Sequence, residues 1–109
     1  MAITTTKGTP FSATATGSTT ATATFNAPAT TSLLYITDIA GSTDKAGAVL
    51  IVQQGSTTIW QIQLATTAAG INAFDQQFAA PLACPAGASA SVNVTGTSVC
   101  DANIAGYYL

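Results

Sequence analysis

All the ionic chemistry of this 109-residue chain rests on six side chains: Lys7, Lys45, Asp38, Asp44, Asp75 and Asp101. Histidine, arginine and glutamate are absent. Without histidine the usual general base is missing, so acid–base work would fall to four scattered aspartates. Glycoside hydrolysis needs a carboxylate pair flanking the scissile bond. In sequence the nearest two are Asp38 and Asp44, on either side of one loop. The expected role of such loop and strand-end carboxylates is to accept hydrogen bonds from nearby backbone. The alternative is a weak Ca²⁺ site, which would require six to eight clustered oxygens. A serine or cysteine nucleophile would need an adjacent base. Only the two lysines could serve, of which Lys45 stands three residues after Ser42 in the expected Gly41–Gly47 loop. GxSxG, GxGxxG and phosphate-cradling glycine loops are absent. The expectation is a protein without catalytic residues and without a cofactor.

Cys84 and Cys100 are the only cysteines. With no histidine or further thiolates they cannot make a zinc site. Two readings stay open for them. One is a pair of free, buried thiols, as suits a cytosolic chain. The other is a disulfide: Cys84 precedes the penultimate strand and Cys100 opens the last, so the two could meet across a hairpin. Such a bond would add about 3 kcal/mol if unstrained.

Charged residues make up 6% of the chain, against an average near 25%. A free monomer ordinarily keeps a charged surface to stay apart from its neighbours. Here Thr, Ser, Ala and Gln take that place, as suits a subunit packed in an assembly. Two lysines cannot neutralise a run of phosphates, which argues against nucleic acid as a partner. No apolar run is long enough to span a bilayer as a helix. The first residues lack the basic and apolar regions of a secretory signal. The expected site of synthesis is therefore the cytoplasm.

The elements that must position these residues are strands. The clearest stretch is AVLIVQQGSTTIWQIQL, residues 48–64, two β-branched runs around a polar, glycine-containing turn at Gln53–Ser56. Period-2 alternation directs Trp60, Ile62 and Leu64 to the core, and Gln61 and Gln63 to water or a partner. Further strands are expected at Thr19–Phe25 and at Thr31–Ala40. In the latter, Leu34 and Ile36 share one face and Leu33, Tyr35 and Ile39 the other. Gly41–Gly47 reads as a loop. Ala73–Ala80 reads as a strand with Phe74, Gln76 and Phe78 on one face; the rival is a helical turn, since Phe74 and Phe78 are also four apart. Pro81–Gly87 forms a corner that proline keeps out of a sheet centre. A last hairpin is expected, with Ala88–Val94 directing Ala90, Val92 and Val94 inward, a turn at Thr95–Ser98, and a strand from Val99 to Leu109. In that strand Cys100, Ala102, Ile104 and Tyr108 share a face, and Gly106 permits a bulge or a close backbone approach.

Seven or eight short strands with turns every 8–12 residues indicate an all-β fold, an antiparallel β-sandwich or jelly-roll-like single domain. Residues 1–18 read as an extended N-terminal arm with one short strand around Phe11–Thr16, and residues 19–109 as the β-sandwich domain. Two alternatives stand for the arm: a loose terminus, or a segment reaching a neighbour through Ile3 and Phe11. Tyr35, Tyr107 and Tyr108 are the candidate interface aromatics, with ordinary packing at the edge of the core as the rival reading.

The order of TSLLYITDIAGST, the central AVLIVQQGSTTIWQIQL hairpin, the late FAAPLACPAGASASVNVTGT and the ending VCDANIAGYYL resembles the small head decoration, or capsid cement, proteins of tailed bacteriophages. Those Ala/Thr/Gly-rich chains also close on an aromatic GY strand. The likeness covers most of residues 20–109 and is one of texture and order, with no motif to carry over residue by residue. It implies a β-sandwich or jelly roll, a homotrimer or less often a homodimer, seated on the outside of an icosahedral virion. There it would bind the major capsid protein at subunit junctions and resist internal DNA pressure. A second function class is a carbohydrate- or receptor-binding module of a phage fibre or tail. Its candidate contacts are Trp60, Gln61, Gln63, Gln76 and Gln77, with Trp60 on the core face counting against it.

Overall fold

The computed structural model describes residues 8–64 and 72–109. Eight strands account for most of them: β1 (Thr9–Gly17), β2 (Thr20–Phe25), β3 (Leu34–Thr43), β4 (Val49–Gln54), β5 (Thr57–Gln63), β6 (Asn72–Ala83), β7 (Ala90–Thr95) and β8 (Cys100–Tyr108). They form two four-stranded antiparallel sheets, in the orders β1-β8-β3-β6 and β2-β7-β4-β5. These are called here the β8 sheet and the β7 sheet, after the central strand that follows the edge strand in each.

The pairing is nested. β4 pairs with β5, β3 with β6, β2 with β7 and β1 with β8, all antiparallel. The chain is thus a long two-stranded ribbon whose tip is the β4–β5 hairpin, folded so that successive ribbon segments fall in alternate sheets. That arrangement is the jelly roll. At the tip Gln54 pairs with Thr57, and the connection turns at Gly55 with φ of 57°. Glycine reaches this left-handed region without steric cost, as a two-residue hairpin loop demands.

Alternating strands bury one face each. The core holds Leu34, Ile36, Ile39, Leu50, Val52, Val92, Val94, Ala102 and Ile104, each almost wholly buried. Small side chains line one flank: β1 and β2 turn Ala13, Ala15, Ala21 and Ala23 inward, and the two strands pack closely across the sandwich. At the opposite flank the gap is filled by Trp60 of β5, whose ring lies 6.1 Å from that of Phe74 and meets Phe78 edge-on at 5.5 Å. Such rings bury large apolar area with specific geometry.

Several expectations change. Thr9–Gly17 is not an arm: it pairs with β8 from Thr9↔Tyr108 to Gly17↔Cys100, so the boundary at residue 18 cuts through the sandwich. Its Ser/Ala/Thr alternation gives a thin strand with a small apolar face. The one large side chain on that face, Phe11, is buried and stacks on Phe25 at 4.4 Å. Ile3 lies outside the described residues. The stretch Gly41–Thr43, expected as loop, continues β3. Ala73–Ala80 is strand, within β6. β7 and β8 are not a hairpin, because they lie in different sheets and residues 96–99 cross between them. The parity of β3 also breaks. Its register shifts between Ile36 and Asp38 against both neighbours, so the extra residue Thr37 returns Ile39 to the core face beside Leu34 and Ile36. Opposite this bulge, β6 spends Phe78–Pro81 between Gln77 and Leu82. Proline is tolerated there because β6 is an edge strand.

Candidate functional site

The outer faces of the two sheets differ in chemistry. On the β8 sheet the registers align outward residues into rows. One row runs Pro10, Tyr107, Tyr35, Ala83; beyond the bulge come Ser12, Ala105, Asp38, Gln77; then Thr14, Asn103, Ala40, Asp75; then Thr16, Asp101, Ser42, Ala73. Three of the four aspartates therefore share this face, each placed there as the sequence neighbour of an inward residue. Asp38 and Asp75 are diagonal neighbours across β3 and β6, about 7 Å apart. Thr37 Oγ1 donates a 3.0 Å hydrogen bond to Asp38 Oδ2, so the bulge residue orients this carboxylate. The two central rows form a trough of about 530 Å³ with Ala40 and Ala105 in its floor.

The fourth aspartate is structural. Asp44 follows β3, and its carboxylate accepts hydrogen bonds from the backbone N–H groups of Thr97 at 2.8 Å, Ser98 at 3.0 Å and Val99 at 3.3 Å. These N–H groups, Ser98's first, hold the carboxyl below its ordinary value. This fits the expectation of local backbone capping, although the loop capped is 53–55 residues away in sequence. Asp38 and Asp44 do not share a site: six residues of strand and loop put about 20 Å between them. Behind this corner Thr43 is fully buried, donating from Oγ1 to the Thr95 carbonyl and accepting from the Lys45 N–H at 3.1 Å.

Cys84 and Cys100 are both free and buried. The Cys84 N–H donates to the Leu34 carbonyl at one end of β3, whereas Cys100 pairs with Thr43 at the other. Nine residues of strand separate them, about 30 Å, far beyond disulfide reach. The disulfide reading assumed a β7–β8 hairpin, and the crossing between sheets removes it. Burial pushes both thiols up.

Tyr35 and Tyr107 stack on each other at 5.0 Å on the outer face, half-buried. Tyr108 instead turns toward the core, 5.8 Å from the Phe25 ring, so it packs at the edge of the core. Trp60, clasped by Phe74 and Phe78, is no open stacking platform. Gln76 points inward with them and Gln77 outward into the trough.

The β7 sheet has no ionisable residue in any of its four strands: TATATF, VLIVQQ, TTIWQIQ and ASVNVT. Its outer face presents a row of Thr22, Asn93, Ile51 and Gln61, with Val49 and Gln63 paired beside it. Neither this neutral face nor the trough is legible from sequence spacing, because both depend on long-range pairing. No protein-family model matches this chain, and no curated protein matches it either.

Proposed function

We propose that this protein is a non-enzymatic structural component of a virion. It decorates the outer capsid surface, binding the major capsid protein at subunit junctions and bracing the shell against internal DNA pressure. The homotrimer is the proposed working form, with the homodimer as the lesser alternative. The observation that carries this reading is the outer face of the β7 sheet. It is free of charge and displays Val49 and Ile51 amid threonines and amides. Interface centres are depleted in charged residues and enriched in apolar ones, because a buried unpaired charge costs several kcal/mol. The jelly-roll topology, in which the two ends of the ribbon pair as β1 and β8, and the resemblance in texture to phage decoration proteins support the same reading.

The test has two parts. Light scattering of the native protein at two concentrations should give a discrete multiple of the 10.8 kDa chain, threefold for the trimer. Co-sedimentation with undecorated phage shells should saturate at a fixed ratio to the capsid protein and be abolished by Ile51→Asp. A wild-type protein that leaves every such shell bare overturns the reading.

A further inference from the structure

We propose that the trough on the outer face of the β8 sheet binds a neutral oligosaccharide. This inference is independent of shell binding and concerns the opposite face of the sandwich. Four strands contribute to the trough, which lies in the size range of small-ligand sites, about 300–1,000 Å³. Its volume is about 530 Å³.

The lining suits a sugar. Ala40 and Ala105 make a floor without protruding side chains, on which the apolar face of a pyranose can lie flat. Around it stand polar groups: the short Asp38, Asp75 and Asn103 and the longer Gln77. Carboxylates only accept hydrogen bonds, whereas side-chain amides both donate and accept. Vicinal hydroxyls of a sugar offer both functions, so this mixture can satisfy neighbouring OH groups in pairs. One pleat further along the same strands stands the Tyr35–Tyr107 stack, within reach of the next sugar unit.

Charge then selects among glycans. Among the described residues no lysine lines the trough, while Asp38 and Asp75 line it and Asp101 follows in the next row. Sialylated, sulfated and phosphorylated chains meet the repulsion of these carboxylates. An added peptide strand is disfavoured because the trough is a sheet face, where β8 and β3 each already pair on both sides. A second copy of this chain is a poor occupant, with only Lys7 and Lys45 to offer. The site differs from the one sequence alone suggested: Trp60 is packed between the sheets, and of the two β6 glutamines lining the trough Gln77 has the outward side chain.

The experiment presents the intact protein to immobilised maltohexaose, cellohexaose, chitohexaose and mannohexaose, with sialyllactose, a heparin hexasaccharide and oligolysine as comparators. Binding to at least one neutral chain and to neither anionic one is expected. Asp75→Asn and Asn103→Ala, both at outward positions, should keep the wild-type melting temperature and each weaken that binding about tenfold. Ile51→Asp, on the other face, should leave it unchanged. Absence of binding to all four neutral chains overturns the proposal, as does binding indifferent to both trough variants. Salt-sensitive capture of oligolysine alone also overturns it, and would identify the face as a dock for a basic protein surface.

Discussion

Gly106→Ala tests the architecture at the point where fold and trough depend on each other. Gly106 sits in β8 opposite Ile36, immediately before the bulge at Thr37. A β-carbon built there would fall inside the van der Waals envelope of the Tyr35 carbonyl oxygen and lie 3.1 Å from Ile36 Cα. The obstructing atoms are backbone, so no rotamer change relieves them. The two strands would have to part by about 1 Å to reach ordinary contact. Overpacking costs about 1–3 kcal/mol where side chains can yield, and here the upper end, about 3 kcal/mol, applies. For a domain of this size that corresponds to a fall in melting temperature of about 10–15 °C. Gly55→Ala is the comparison. Nothing lies within 4 Å of the added carbon, and only the positive φ resists it, which costs about 1–2 kcal/mol. Thermal unfolding followed by circular dichroism should therefore rank the variants wild type, then Gly55→Ala, then Gly106→Ala. If Gly106→Ala melts with the wild type, the β3–β8 register and the bulge placement derived from it are wrong.

Other outcomes follow from single contacts. In denaturant without reductant, a thiol reagent should count two free thiols per chain, while the folded protein should react slowly because both cysteines are buried; a count of zero would contradict the separation of Cys84 from Cys100. Asp44 has a lowered pKa in the folded state, so its contribution is complete above the ordinary value of 3.8 and is lost as pH falls through the lower folded value. The melting temperature should hold down to about pH 4 and fall below it, and Asp44→Asn should flatten that acid limb; an unchanged limb would remove Asp44 from the account. Trp60 should emit at short wavelength and resist acrylamide. Phe78→Ala should shift the emission to the red and cost about 2 kcal/mol, half-buried as the ring is; unchanged emission would place Trp60 elsewhere.

Local pattern carried the sequence reading as far as local pattern reaches. The β4–β5 hairpin was legible because both strands and their glycine turn are contiguous. The inward row Ala90, Val92, Val94 was legible because alternation there is unbroken. β1 was not legible as part of the sandwich. FSATAT has the same texture as the TATATF of β2, yet a strand whose inward face is mostly alanine shows little contrast between its two sides. The β3 parity failed at Thr37 because a bulge is dictated by the partner strands, not by β3 itself. The β7–β8 error has the same origin: a four-residue polar connection serves equally well for a hairpin and for a crossing between sheets. The trough was the least accessible of all. Asp38, Asp75 and Asp101 each adjoin an inward residue, which marks them as outward, but only the order β8-β3-β6 brings them to one face.

The ribbon topology also distributes charge. Because successive segments of the folded ribbon alternate between sheets, strands 1, 3, 6 and 8 share one outer face and strands 2, 4, 5 and 7 the other. Every strand-borne aspartate falls in the first set and none in the second. The two faces therefore differ in what it costs to remove them from water. Covering the β8 sheet would strand carboxylates unless a partner brought cations, whereas covering the β7 sheet strands none. Affinity for a large surface and retention of a solvated, hydrogen-bonding trough are thus compatible in one small domain. On the proposed reading this fixes its orientation: the neutral sheet rests on the shell and the acidic sheet faces outward, where a soluble glycan can reach it.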